Sequence, residues 1–186
     1  MISIKNKKLA LAAICFLGFA LQGSAQTLIG KTIKVNLFSS TPVEDIKASS
    51  NMGTAVLVTQ TQELAVQVSI KSLVFDKKLM QEHFNENYME SDKYPLAKFK
   101  GTIEPKIDWT KDGEYAVSAK GVLSVHGVDQ PRNINGKISI KNGIVNLDSS
   151  FEVTCVAHQI KIPRLVFAKI AEVIQLKVSG TLTPLK

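Results

Sequence analysis

The chain has 186 residues, 45% of them hydrophobic, with 23 Lys and Arg against 16 Asp and Glu for a formal net charge of +7. That length supports one domain with a real core and is short for two. The basic residues are spread at strand spacing, and aromatics make up only 6% of the chain, which argues against a nucleic-acid partner.

Residues 1–25 read as a secretory signal peptide. Lys5, Lys7 and Lys8 precede an apolar run of 13 residues, Leu9 to Leu21, and small residues follow at Gly23 and Ala25. Basic, apolar and small-residue regions in that order describe a cleavable leader. The apolar run falls short of the about 20 residues a membrane helix needs. Cleavage after Ala25 leaves a working chain of residues 26–186, expected in the periplasm or secreted from a bacterial envelope. Cys15 follows the bulky Ile14 rather than a small residue, which argues against a lipid anchor. Cys155 is then the sole cysteine, so no internal disulfide is expected, and its apolar surroundings suit a buried, inert thiol.

From there, period-two alternation dominates. The first run, KTIKVNLFS, places Ile33, Val35 and Leu37 on one face. A weaker strand is expected near Gly53 to Val58. ELAVQVSIKSLVF alternates Leu64, Val66, Val68 and Ile70 against Gln67, Ser69 and Lys71. Phe99 and Ile103 then oppose Lys98, Lys100 and Thr102. Tyr115, Val117, Ala119, Leu123 and Val125 make another set, and Ile134, Ile138 and Ile140 the next. Val145, Leu147, Phe151 and Val153 follow, and the last strand carries Ile174, Leu176, Val178 and Leu182. KDG at Lys111 to Gly113 and KNG at Lys141 to Gly143 are hairpin signals, because Asp-Gly and Asn-Gly tolerate positive φ. HGVDQP, His126 to Pro131, reads as a longer loop. Strands joined by short turns are antiparallel.

Two stretches break the alternation. Asp76 to Ser91 has helical spacing, with Leu79, Met80, His83, Phe84 and Tyr88 on one face, Asp76 as a candidate cap and Pro95 preventing continuation. IPRLVFAKIAEV predicts a short helix from Pro163 to Ile170 or Ala171. The whole reads as one mainly all-β domain, an antiparallel eight-stranded β-barrel with a helix between strands and a short helix near the C-terminus. Eight strands enclose an interior that side chains can fill or that holds one small ligand. Small residues along the strands, among them Ala97, Ala119, Gly101, Gly121, Gly136 and Gly180, either leave room inside or let the strands coil.

The crowded stretch Gln81 to Pro95 offers metal or catalytic readings. Glu82, Glu86 and Glu90 stand four apart and form one helical stripe, and His83 with Glu86 could co-ligate an ion. A zinc site needs three or four ligands, and His126 and His158 lie in other segments with no HxH, HxxxH or HExxH spacing. No GxSxG or phosphate-loop motif is present. A solvated helix face, no resident cofactor and no catalysis are the expectations.

At the same stretch the sequence resembles a known family. LMQEHFNENYMESDKYPLAKFKG is similar to the signature of the YceI-like family, exported bacterial lipocalin-like barrels described as polyisoprenoid-binding. The matching residues are His83, Asp92, Lys93, Tyr94 and Pro95, with Phe99 two residues past Ala97. GVLSVHGV, Gly121 to Val128, is similar to the family's G-x-L-T-[IV]-H-G-V, and IKIPRLVFAKIAEVIQLKV resembles the C-terminal helix and final strand of a shorter branch. The resemblance covers most of Thr32 to Leu185. The chain departs from the pattern in its first strand, which lacks the usual aromatic, Asp and His-Ser pair. It departs again in FEVTCVAHQ, where Thr154, Ala157 and His158 replace common basic, acidic and aromatic residues.

The resemblance implies a carrier for a long-chain lipid, such as an isoprenoid, a quinone-like tail or a fatty-acyl lipid, with transient contact with envelope membranes. Alternation nominates Val66, Val68, Ile70, Phe99, Ile103 and Leu123 as lining residues. It adds Val125, Ile138, Ile140, Phe151, Leu176 and Val178, with Met80 and Phe84 turned inward from the helix. His83 is a candidate for the ligand's head group, and Tyr94 with Pro95 for the helix-to-strand corner. The competing reading is a non-catalytic envelope-stress or scaffold barrel with a filled interior. An enzyme acting on a lipid would have to draw on His83, Tyr94, His126 and His158. Edge strands near either terminus would allow a homodimer.

Overall fold

The alternating runs fold into one antiparallel sheet in the computed structural model, which describes residues 26–163 and 170–185. Its strands are β1 (Thr27–Ser40), β2 (Asp45–Val58), β3 (Glu63–Ser69), β4 (Val74–Phe75), β5 (Leu96–Glu104), β6 (Gly113–Val125), β7 (Val128–Lys141), β8 (Ile144–Thr154) and β9 (Val173–Pro184). The order runs β1-β9-β8-β7-β6-β5-β3-β2, and β1 pairs with β2 to close the circle. Eight strands therefore form a barrel, and the two-residue β4 is an extra rung on β2 through Ala48 and Phe75. Because β1 and β9 pair with each other, the terminal strands lack the free edges on which the dimer expectation stood.

The expected parity holds along most strands. Ile33, Val35, Val68, Phe99, Ile103, Leu123, Ile138 and Leu182 are all buried, while Lys98, Lys100 and Lys120 point to solvent. β2 is far longer than its sequence suggests. Its inward positions in the first half are Ile46, only partly buried, and the buried Ala48 and Ser50, too weak a hydrophobic period to detect. Burial of Ser50 is satisfied by a 2.7 Å hydrogen bond between its hydroxyl and that of Ser72. β3 ends earlier than expected: a 3₁₀ turn at Ile70–Ser72 interrupts ELAVQVSIKSLVF before β4.

The glycines serve curvature. A Cβ on Gly121 would lie 2.1 Å from the Lys100 carbonyl oxygen and 2.4 Å from the Gly101 Cα, so β5 and β6 approach at a distance only glycine permits. Phe99 covers the hollow above Gly101. On the far wall Ile33, fully buried, sits over Gly30, Gly53 and Gly180. Gly136, Ala97 and Ala119, by contrast, do border open space inside.

The end of the barrel opposite the helix is closed by Gln62, which is buried. Its side-chain amide donates to the Ile103 carbonyl at 2.5 Å, and its Oε1 accepts from the Ile107 N–H at 2.5 Å. A buried amide with both ends satisfied stabilises that closure at little desolvation cost.

Three local expectations need correction. HGVDQP is not a long loop: His126 and Gly127 alone form the turn, with φ of 52° and 72°, and β7 begins at Val128. The residue pair satisfies a primed hairpin turn, which needs positive φ at both central positions. Pro131 is tolerated inside β7 because the ladder from β7 to β8 runs only from Gly136 opposite Ser149 to Lys141 opposite Ile144. Above that rung the two strands are joined by side chains instead. The Gln130 amide donates to the Ala157 carbonyl at 2.7 Å, Arg132 donates to the Glu152 carbonyl, and Ser149 Oγ donates to the Asn135 carbonyl at 2.6 Å. KDG, second, ends a longer connection over 105–112 rather than making a two-residue hairpin, whereas KNG is such a hairpin, with Asn142 and Gly143 at φ 51° and 74°.

Third, the helix is shorter than predicted. α1 spans Lys78–His83 and continues as a π turn at Phe84–Tyr88. Lys77 occupies the capping position and no side chain caps it, so Asp76 stands one residue too early to do so. Of the predicted C-terminal helix, Pro163 to Ile170 or Ala171, residues 164–169 lie outside those described, as does the signal peptide.

Candidate functional site

Inward parity produces the first chamber. Inside the barrel lies a cavity of about 130 Å³, lined by Val66, Val68, Phe99, Ile103, Leu123, Val125, Ile138, Phe151, Leu176 and Val178. Val35, Leu64, Val117, Ile134 and Leu147, placed on the apolar strand faces by their alternation but not nominated as lining residues, also border it. Several of these side chains, Val66, Val117, Leu147, Phe151 and Leu176 among them, face inward yet remain only partly buried, because nothing fills the space before them.

A second chamber of about 390 Å³ lies under the helical segment. The helical face read from the sequence is what borders it: Leu79, Met80, His83, Phe84 and Tyr88. Across from them stand Leu37, Ile46 and Phe75, with Cys155, Ile160, Ile162 and Ile174 from the β8–β9 connection and strand. Phe84, Ala97 and Val178 pack against both buried clusters of the molecule and so separate the two chambers. Phe84 is fixed there by Phe75, with ring centroids 4.7 Å apart.

Ile70, Ile140 and Tyr94 border neither chamber. Ile70 is buried in the 3₁₀ turn that ends β3, and Ile140 packs near the end of the barrel remote from the helix, opposite Val145 and Gly113. Tyr94 packs edge-on against His126, centroids 4.6 Å apart, and its ring occupies the place a Cβ on Gly127 would take. That contact locks the helix-to-strand corner from outside the chambers.

Polar groups around the second chamber are few. Glu44 and Lys77 form an ion pair at 2.7 Å. Ser39 is buried and its hydroxyl oxygen accepts from the Ala171 N–H at 3.0 Å. Burial pushes the pKa of Tyr88 up. The Cys155 thiol is buried and pushed up as well, first by desolvation and then by Glu172, so it stays a neutral thiol.

Of the four groups an enzyme would have drawn on, Tyr94, His126 and His158 are neighbours that border neither chamber, and His83 is not among them. His126 Nδ1 lies 3.1 Å from the His158 carbonyl oxygen and its Nε2 lies 3.0 Å from a Glu90 carboxylate oxygen. His158 is buried, with Nδ1 3.1 Å from the Val128 carbonyl, and desolvation holds its pKa below the ordinary value despite that hydrogen bond. His83 stands apart on the helix, at the rim of the second chamber. The glutamate stripe is also broken: Glu90 has left the helix at φ 42° and reaches for His126 instead. Among the described residues no three His, Cys, Asp or Glu side chains gather as metal ligands would.

A closed eight-stranded antiparallel barrel, hollow inside and covered by a helical segment at one mouth, defines a lipocalin-like barrel. The chain belongs to the YceI-like domain family, whose profile matches residues 20–182. Among solved structures it is similar to a polyisoprenoid-binding domain from Saccharophagus degradans implicated in plant cell wall breakdown. That pair has 11% identity and a TM-score of 0.72, covering 87% of this chain and 99% of that one. It is similar to Burkholderia cenocepacia BcnA at 13% identity and a TM-score of 0.67, covering 80% and 95%. A Campylobacter jejuni YCEI protein matches at 16% identity and a TM-score of 0.55, covering 72% and 81%. Among curated proteins no relative matches.

Proposed function

We propose that this chain is a non-catalytic carrier that shields the apolar tail of a long amphiphile, an isoprenoid, quinone or fatty-acyl lipid, from water in the bacterial envelope. The observation that carries the reading is the unfilled apolar interior. Val66, Val117, Leu147, Phe151 and Leu176 point inward in a closed barrel and still lack full packing partners. A protein interior is ordinarily close-packed, so side chains left this way suit a guest. Each buried CH₂ of that guest contributes about 0.8 kcal/mol, and a tail of several such groups offsets the cost of association. The S. degradans relative, described as polyisoprenoid-binding, supports the same class of ligand.

Exposed apolar side chains at one rim support delivery from a membrane. Val43 and Leu79, each 61% exposed, flank Glu44, Lys77 and Met80 at the rim of the second chamber, where a tail would leave the bilayer. Native mass spectrometry of the full chain, exported in a bacterial host and purified without detergent, tests the proposal. The expected result is an added mass that organic extraction releases as a long-chain lipid. A chain that flies as the bare polypeptide, and that also fails to enhance the fluorescence of N-phenyl-1-naphthylamine, would end it.

A further inference from the structure

A tail bound for the inner chamber meets an obstacle at the mouth. Phe84, Ala97 and Val178 pack against both buried clusters and lie between the chambers, and Phe84 is held by Phe75 with ring centroids 4.7 Å apart. A second way runs through the wall. β7 pairs with β6 from Val128 opposite Val125 to Ile140 opposite Gly113, and β8 pairs with β9 from Val145 opposite Leu182 to Thr154 opposite Val173. Between β7 and β8, in contrast, the backbone ladder stops at Gly136 opposite Ser149. Residues 128–135 of one strand and 150–154 of the other run past each other without it.

A proline accounts for the break. The Asn135 carbonyl faces β8, since it accepts from Ser149 Oγ at 2.6 Å. Backbone groups alternate in direction along a strand, and position 131 has the same parity as 135, so it too turns its backbone toward β8. Pro131 has no N–H to offer there. Two long side chains bridge the strands instead. The Gln130 amide donates to the Ala157 carbonyl at 2.7 Å, and Arg132 donates to the Glu152 carbonyl. Both bonds can release while β7 stays paired with β6 and β8 with β9.

This seam joins the two chambers. Toward one end Ile134 and Gly136 from β7, with Ser149 and Phe151 from β8, border the inner chamber. Toward the other, β8 runs into Cys155, which borders the chamber under the helix. Val156, 78% exposed, places an apolar side chain at the head of the seam. Resting on the carrier reading, we infer that the amphiphile's tail enters and leaves the inner chamber sideways, between β7 and β8, and that Gln130 and Arg132 are the latch on this route. The head stays at the mouth while the tail slides through the opened wall. A guest that passes only through the open form sees its entry and exit multiplied by the same factor when the latch is loosened, so their ratio is unchanged.

Stopped-flow mixing of the full chain, stripped of lipid, with cis-parinaric acid reads both rates from the fluorescence of the polyene. Gln130→Ala combined with Arg132→Ala should raise association and dissociation together by about tenfold, the scale on which one or two hydrogen bonds act, and keep the equilibrium affinity within about twofold of the parent. Gly143→Ala, in the hairpin at the paired end of the same two strands, controls for lost stability and should leave both rates unaltered. Circular dichroism melts establish folding. Should the double variant fail to fold, Arg132→Ala alone carries the test, with both rates up by about threefold. Unaltered rates in a folded latch variant overturn the side entry and leave the carrier reading standing. So do a rise in dissociation alone and an equal acceleration in Gly143→Ala. A parent chain that binds neither the polyene nor N-phenyl-1-naphthylamine overturns the two together.

Discussion

His126 Nε2 lies 3.0 Å from a Glu90 carboxylate oxygen while its Nδ1 faces the His158 carbonyl at 3.1 Å. One imidazole thus ties the segment after the π turn to the β8–β9 connection. Both ring nitrogens lie within hydrogen-bond reach of an oxygen. His126→Asn keeps a residue that tolerates the turn's positive φ but cannot span both partners. The expected loss is about 1 kcal/mol in urea unfolding, since Glu90 is half exposed and such a pair is partly screened. Raising salt should narrow the gap between variant and parent.

The approach of β5 to β6 makes a sharper prediction. Gly121→Ala would put a methyl 2.1 Å from the Lys100 carbonyl oxygen, where only backbone movement can relieve it. A loss of about 3 kcal/mol is expected, at the upper end of overpacking costs. Chemical denaturation checks this, with Gly143→Ala, whose Cβ meets nothing within 4 Å, as a control. The control is strained by its φ of 74° alone and should cost about 1 kcal/mol.

Ala97 stands where the two chambers meet. Ala97→Phe would fill that junction. The expected outcome is loss of most N-phenyl-1-naphthylamine fluorescence enhancement, with melting temperature little changed because added bulk enters empty space rather than a packed layer. Unaltered dye binding in a folded variant would mean that the chambers do not act together.

Much of this architecture was legible beforehand because burial in a barrel follows strict parity. Phe99 and Ile138 alternate with charged or polar neighbours, and each points where alternation says. The first half of β2 escaped because its fully buried side chains are the small Ala48 and the polar Ser50. The turn at His126 escaped because Pro131 masks a strand whose neighbour has drawn away. The helical face was legible from its spacing, and Leu79 and Tyr88, which were not nominated as lining residues, border the same space as Met80, His83 and Phe84. Ser39 and Cys155 could not be found at all, since they reach that space only through the paths of β1 and the β8–β9 connection.

Buried His158 predicts a pH dependence. Its folded pKa is held below the ordinary 6.5, chiefly by desolvation. The unfolded chain therefore takes up a proton before the folded one does. The stability this neutral ring contributes is complete above pH 6.5 and is lost as pH falls from there toward the lowered folded value. Urea midpoints should drop between pH 7.5 and pH 5.5 in the parent, roughly the interval in which an imidazole titrates. His158→Asn should be less stable at pH 7.5 and show a flatter profile.

Where β7 and β8 part above Gly136, the barrel's circumference is stitched rather than zipped. Three side-chain bonds, from Gln130, Arg132 and Ser149, do there what backbone pairing does below that rung. Gly136 and Ser149, the last rung, also border the inner chamber. Girth is consequently easiest to gain along this line, and widening there leaves every other rung of the hoop intact.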